Sequence, residues 1–202
     1  RNRVILVTRP DTQAGELVRD IERRGGTAVV VPMITIGPPP SWKECDEAIG
    51  RLADYDALLF TSVNAVESFF GRAILIGVPQ ERFSSLRTIA VGEKTAAAIA
   101  LFGAQVAGIP DHYSGGALIT LLGGSYAGKR MLLPRGNIAR PDLADALQGT
   151  GALVETVCVY VTGKPDGLAA ESLVRRVLAG EFDVVTFASP SAAANFASLF
   201  SV

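Results

Sequence analysis

Five short segments carry residue types that can hold an anion: Thr8-Arg9-Pro10, Ser62-Val63-Asn64, Gly92-Glu93-Lys94-Thr95, Arg135-Gly136-Asn137 and Ser189-Pro190-Ser191. Each follows a strand-like run and opens a helix-like one. At such a junction the free backbone N–H groups and the positive end of the helix dipole favour negative charge. In open α/β sheets the ligand crevice lies outside these carboxyl ends of the strands. Ser, Thr and Asn are equally the residues that cap helix N-termini, so each segment alone reads either way. Five of them facing one inter-domain cleft would suit a ligand with many carboxylates. Tyr160 offers a different chemistry, a phenol that can donate a hydrogen bond or a proton; a strand aromatic chosen for β-propensity is the plainer reading.

Several other chemistries are excluded. Gly123-Gly124-Ser125-Tyr126-Ala127-Gly128-Lys129 mimics a phosphate loop, but Arg130 stands where Ser or Thr should hold Mg²⁺. It also precedes a strand instead of following one. No GxGxxG follows the first strand, which leaves a dinucleotide site unsupported. His112 is the only histidine, beside Asp111 in a loop-like stretch, and no metal cluster can be built around it. Neither Ser62 nor Ser189 sits in GxSxG, so serine-hydrolase chemistry is not expected.

The composition agrees. Of 202 residues 49% are hydrophobic and 19% charged, with a formal net charge of −1, which argues for a well-filled core and against both disorder and a polycationic nucleic-acid binder. Cys45 and Cys158 lie far apart without CxxC spacing, pointing away from a disulfide scaffold and towards a reducing, cytoplasmic setting. The uncharged run from Thr95 to Ile109 is shorter than the roughly 20 residues a membrane span needs. No signal peptide is read at the start, though opening on Arg1 instead of Met suggests processing or trimming.

The elements that must position these residues alternate along the whole chain. Strand-like runs lie at 4–8, 28–31, 57–60, 88–91, 131–133 and 183–187, with a weaker one at 105–107 and a long one at 152–161. Amphipathic candidates lie at 12–24, 41–53, 63–75, 93–102, 114–122, 140–149, 167–179 and 190–200. Near-continuous apolar strands separated by helices mean parallel strands covered on both faces. The expected fold class is α/β, doubly wound and flavodoxin-like.

The chain also repeats itself. Val4-Ile5-Leu6-Val7-Thr8-Arg9-Pro10 is echoed by Arg130-Met131-Leu132-Leu133-Pro134-Arg135-Gly136, 126 residues on. Tyr55 to Val66 is echoed by Phe182 to Ala193, 127 residues on. A second copy of the Gly92-Glu93-Lys94-Thr95 loop would begin at about residue 219. The protein is therefore expected to continue beyond Val202 for a few tens of residues, with roughly two more strands. The valine-rich strands run on through Val31-Pro32-Met33-Ile34-Thr35-Ile36 and Val157-Cys158-Val159-Tyr160-Val161-Thr162 to Gly/Pro breaks, which read as connectors at 33–38 and 157–163. Side by side, they would enclose one five-stranded domain, 38–157, and leave 1–33 with 163–202 as a second, incomplete one. A front/back split near Gly128 is the rival.

Thr8-Arg9-Pro10, Phe60-Thr61-Ser62-Val63-Asn64-Ala65-Val66, Val91-Gly92 with Thr95-Ala96, Leu133-Pro134-Arg135-Gly136, Val159-Tyr160-Val161-Thr162 and Phe187-Ala188-Ser189-Pro190-Ser191 together resemble uroporphyrinogen-III synthase, in order and spacing, over the whole chain. The resemblance implies two flavodoxin-like domains joined by a two-stranded connector, with the active site in the cleft between them. It implies a monomeric, cofactor-free and metal-free enzyme of tetrapyrrole synthesis. Hydroxymethylbilane loses its hydroxyl and closes to uroporphyrinogen III with ring D inverted, through a spiro intermediate. Carried over residue by residue, Tyr160 assists departure of the hydroxyl. Thr8, Arg9, Ser62, Val63, Asn64, Gly92, Thr95, Arg135, Gly136, Ser189, Pro190 and Ser191 bind substrate carboxylates, with Arg9 and Arg135 alternatively in structural ion pairs. Ala188 stands where the first copy has Thr61, so the two lips differ.

Two rivals stand beside this reading. A two-lobed tetrapyrrole or polycarboxylate sensor would bind without turnover. A receiver-like signalling domain needs an acidic cluster after the first strand, which Thr8-Arg9-Pro10-Asp11 matches poorly.

Overall fold

A computed structural model describes residues 3–109, 127–138, 142–165 and 167–200. His112, the helix expected at 114–122 and residues 123–126 lie outside the described residues. In chain order the elements are β1 (Val4–Val7), α1 (Asp11–Arg23), β2 (Thr27–Val30), β3 (Thr35–Gly37), α2 (Lys43–Gly50), β4 (Ala57–Phe60), α3 (Val63–Leu75), β5 (Arg87–Ala90) and α4 (Glu93–Leu101). They continue with β6 (Gln105–Gly108), β7 (Arg130–Gly136), α5 (Asp142–Gln148), β8 (Leu153–Gly163), α6 (Gly167–Leu178), β9 (Val184–Thr186) and α7 (Pro190–Ser198). The α/β class read from the alternation is what the structure has, and its strand pairs β1–β2, β1–β9, β4–β5, β4–β7, β5–β6 and β7–β8 are all parallel.

The chain forms two compact units, Arg1–Gly37 with Thr162–Val202, and Pro38–Val161. The strands of the second unit run β8-β7-β4-β5-β6. β4 is its centre and is buried throughout. Leu58 and Phe60 face one apolar cluster, Ala57 and Leu59 the other, as the period of two requires of a strand covered on both sides. α3 packs on the first face through Ala65, Val66, Phe69, Phe70 and Ala73, a spacing that follows one helical stripe. Phe70 meets Phe83 and Phe102 at ring-centroid distances of 4.8 and 5.2 Å. At the far side of α3, Arg72 grips Asp46 of α2 through Nε and Nη2 at 2.7 and 2.6 Å, and its guanidinium lies 5.1 Å from the Trp42 ring centre.

The first unit holds a sheet ordered β2-β1-β9. Here the valine-rich run is interrupted: β2 stops at Val30 and β3 begins only at Thr35. The Val31 N–H still donates to Val7 O at 3.0 Å, but beyond it the Met33 N–H donates to Thr8 O at 3.0 Å and the Met33 side chain is fully buried, which interrupts the strand.

The repeat is visible as duplicated hydrogen bonds. Asp56 accepts from the Arg130 N–H at 2.9 Å, while its own N–H donates to Arg130 O at 2.8 Å. Asp183, 127 residues on, does the same with Val4, at 2.7 and 2.8 Å. The Thr27 N–H donates to Arg3 O and the Leu153 N–H to Lys129 O, both at 2.8 Å. Each clamp therefore joins the late half of one copy to the early half of the other.

Candidate functional site

In the second unit the sheet order reverses between β4 and β7, because β5 and β6 follow β4 on one side while β7 and β8 lie on the other. Loops leaving the carboxyl ends of two strands at such a switch point diverge and open a crevice. The end of β4 carries Ser62-Val63-Asn64; the end of β7 carries Arg135 and Gly136. Ser62 is the N-cap of α3, its Oγ accepting from the Ala65 N–H at 3.2 Å. Its hydroxyl also stands 3.4 Å from the Tyr160 phenol oxygen, where either group can donate. Val63 leans on the aromatic core, and Val63 and Asn64 are half-buried.

Tyr160 reaches this point from β8. Its ring lies against Gly136, which is buried: a β-carbon at 136 would stand 2.5 Å from Cζ and 2.9 Å from the phenol oxygen. Arg135 is half-buried and pairs in register with Cys158. One strand further along, α4 begins at Gly92, with φ 96° and ψ 151°, a conformation open to glycine alone without strain. Gly92 offers α4 no side-chain cap, so among the described residues its first-turn amides keep their hydrogen-bonding capacity, with Glu93 as a competing carboxylate. Thr95, in that turn, is 4% exposed.

In the first unit Ser189 caps α7 as Ser62 caps α3, accepting from the Ala192 N–H at 3.1 Å with almost the same backbone angles. Pro190 follows as the first helical residue, and Pro190 and Ser191 are exposed. Thr8 is fully buried and donates to Thr186 O at 2.6 Å; this hydroxyl ties β1 to β9. Arg9 lines a cavity of about 260 Å³ with Glu16, Leu17, Asp20, Thr186, Phe187 and Ala188.

At the opposite end of the β7–β8 pair lies a cluster that sequence reasoning missed. The Tyr55 phenol donates to Glu155 at 2.7 Å and Arg51 donates to the same carboxylate at 2.9 Å. Burial, then the bond to Glu155, push the Tyr55 phenol above its ordinary range. The repeat held a signal: Phe182 occupies the equivalent place, and Arg130 and Arg176 lie over the two rings at 5.7 and 5.0 Å. Among the described residues no group of three or more His, Cys, Asp or Glu side chains could hold a metal ion, and no helix is long and apolar enough to cross a membrane.

Comparison with known proteins shows the family. The family model described as uroporphyrinogen-III synthase HemD matches residues 15–202. The uroporphyrinogen-III synthase of Synechococcus elongatus is 30% identical over 200 residues, 98% of this chain and 74% of that protein. The chain belongs to the uroporphyrinogen-III synthase family. The synthase of Chlorobaculum parvum is also 30% identical, over 96% of this chain and 78% of that protein. Among solved structures, a mutant uroporphyrinogen III synthase of Thermus thermophilus shares the fold with a TM-score of 0.68 at 20% identity, covering 97% of this chain and 76% of that one. The Helicobacter pylori synthetase gives 0.61 at 17% identity, over 100% and 80%. In the second unit the Tyr160 phenol, the Ser62 hydroxyl and the amides opening α3 come together at the switch point.

Proposed function

We propose that this chain acts as a uroporphyrinogen-III synthase, closing hydroxymethylbilane to uroporphyrinogen III with ring D inverted. The observation that carries the reading is the family match over residues 15–202. The proposal takes from the resemblance two flavodoxin-like lobes, 1–33 with 163–202 and 38–157, linked through 33–38 and 157–163. Strand order supports the flavodoxin description: β2-β1-β9 has the opening 2-1-3 of that fold, and the Pro38–Val161 sheet numbered cyclically from β7 reads 2-1-3-4-5.

The chemistry needs little from the protein beyond shape and a proton donor. Folding a flexible octacarboxylate is a problem of proximity and orientation, for which enzymes can supply large rate factors. In this proposal the amide groups opening α3, α4 and α7, with Arg9 and Arg135, hold acetate and propionate groups. Tyr160 donates to the hydroxymethyl oxygen as the carbon–oxygen bond breaks and water leaves. Ring D then attacks the resulting carbocation through its substituted carbon, giving the spiro intermediate. Ser62 orients the phenol through the bond between them. The free thiols of Cys45 and Cys158 support a reducing, cytoplasmic setting, and the enzyme acts as a monomer.

Incubating the protein with freshly generated hydroxymethylbilane and separating the isomers tests this. Isomer III in excess over the spontaneous isomer I is expected. Isomer I alone, with tight product binding, would favour a sensor.

A further inference from the structure

The geometry points to Gly136 and the β-bulge beside it as a seat that aims the Tyr160 phenol, making Gly136 a positioning residue for the synthase reaction on which this inference rests.

Side chains on a strand alternate between faces. Val157 and Val159 both face the aromatic cluster under α3, so regular alternation would send Tyr160 to the other face. It does not go there: Tyr160 also packs on the aromatic cluster. The reason lies in the β7–β8 register, which pairs Arg135 with Cys158 but Gly136 with Tyr160, skipping Val159. A bulge of this kind re-aims the residue that follows it and is uncommon between parallel strands. Two contacts hold the turned backbone, the Asn137 N–H donating to Tyr160 O at 3.2 Å and the Cys158 thiol donating to it at 3.4 Å.

Having been turned, the ring needs a floor without a side chain. Gly136 faces the same side as its register partner, and a β-carbon there would meet Cζ, Cε2 and Oη at 2.5, 2.6 and 2.9 Å. Gly136 is not among the glycines with positive φ, so its backbone does not require glycine. What requires glycine is the ring. Adding one methyl group displaces the phenol by about 1 Å before ordinary carbon–carbon contact is restored. The displaced atoms are the free end of a side chain, so the strand itself survives. A shift of that size in the phenol that meets Ser62 is enough to cost roughly 100-fold in a reaction that depends on orientation.

The test is a double-mutant cycle of Gly136→Ala and Tyr160→Phe, read in three ways. The rate of isomer III formation should fall about 10- to 100-fold in Gly136→Ala, and the fraction of isomer I should rise. In the Tyr160→Phe background, where no hydroxyl remains to be misplaced, Gly136→Ala should add no further loss. Losses that multiply would overturn the proposal. The second reading uses no substrate: in protein labelled with 3-fluorotyrosine, the ¹⁹F resonance assigned to Tyr160 should move in Gly136→Ala while that of Tyr55 stays. An unmoved Tyr160 resonance overturns the seat even if the enzyme is active. A moved resonance in a protein that makes no isomer III sinks the synthase reading and leaves the seat standing. The third is thermal unfolding. Should Gly136→Ala fail to fold, adding Tyr160→Ala must restore folding, and a failure to restore it would overturn the proposal.

Discussion

Asp46 shows how one ion pair in this chain sets a pH response. Arg72 donates two hydrogen bonds to its carboxylate and holds the carboxyl below its ordinary value. A carboxyl whose pKa is lower in the folded than in the unfolded chain stabilises the fold above its ordinary value of about 3.9, and that contribution fades as pH falls towards the lowered value. Asp46→Asn should therefore lower the melting temperature at neutral pH, and its curve should converge on the wild-type curve as pH falls through the ordinary carboxyl value and below. Melting followed by circular dichroism from pH 7 to 2.5 checks this, and parallel curves across the range would contradict it. Cys45, in the same helix, is 1% exposed, and burial first of all pushes its thiol up to about 12. It is a small core residue, not a nucleophile.

At the scale of elements, periodicity made most of the secondary structure legible. α3 is found at 63–75 as its stripe of Ala65, Val66, Phe69, Phe70 and Ala73 required, and α1, α4 and α6 agree within a residue or two at each end. The expectation at 41–53 joined α2 to a separate 3₁₀ turn, Leu52–Asp54, because apolar spacing cannot distinguish one helix from two that share a face. The extended reading of 31–36 holds at Thr35 and Ile36, which lie in β3, and fails at Met33 for a related reason. Val31, Met33 and Ile34 all look like strand residues, but Met33 enters the first unit's core through a backbone bond to Thr8, a tertiary event with no local signature. The candidate site was half legible. Residue type and strand-end position singled out Ser62, Gly92 and Ser189, and the structure shows two of them as caps and Gly92 at φ 96°. That Tyr160 lies over Gly136 was not legible, because a bulge depends on the partner strand and a period-two count places Tyr160 on the wrong face.

For the whole molecule, the repeat and the compact units are out of phase. The clamp at Asp56 joins the first copy to the second, and the clamp at Asp183 joins the second back to the first. Each unit thus contains an early half of one copy and a late half of the other, and only Pro38–Val161 is continuous in sequence. The two units are also chemically unequal: with 31–36 set against 157–162, Ile34 stands where the second copy has Tyr160, so the phenol occurs in one copy alone. A fragment of residues 38–161 encloses both apolar clusters around β4 and should unfold cooperatively by itself, with dispersed amide resonances. A fragment ending near Gly128 lacks β7, which pairs with β4, and β8, which pairs with β7, and should not. The reverse outcome would contradict this division. The proposed mechanism depends on the same inequality, since helix-terminal amides recur in both copies whereas the phenol it uses as proton donor does not. The rate of isomer III formation by Tyr160→Phe, set against Ser62→Ala and Ser189→Ala on the same hydroxymethylbilane, measures that most directly. The expected result is that Tyr160→Phe falls below both serine variants, each of which keeps part of the wild-type rate; isomer III formed by Tyr160→Phe at the wild-type rate would contradict it.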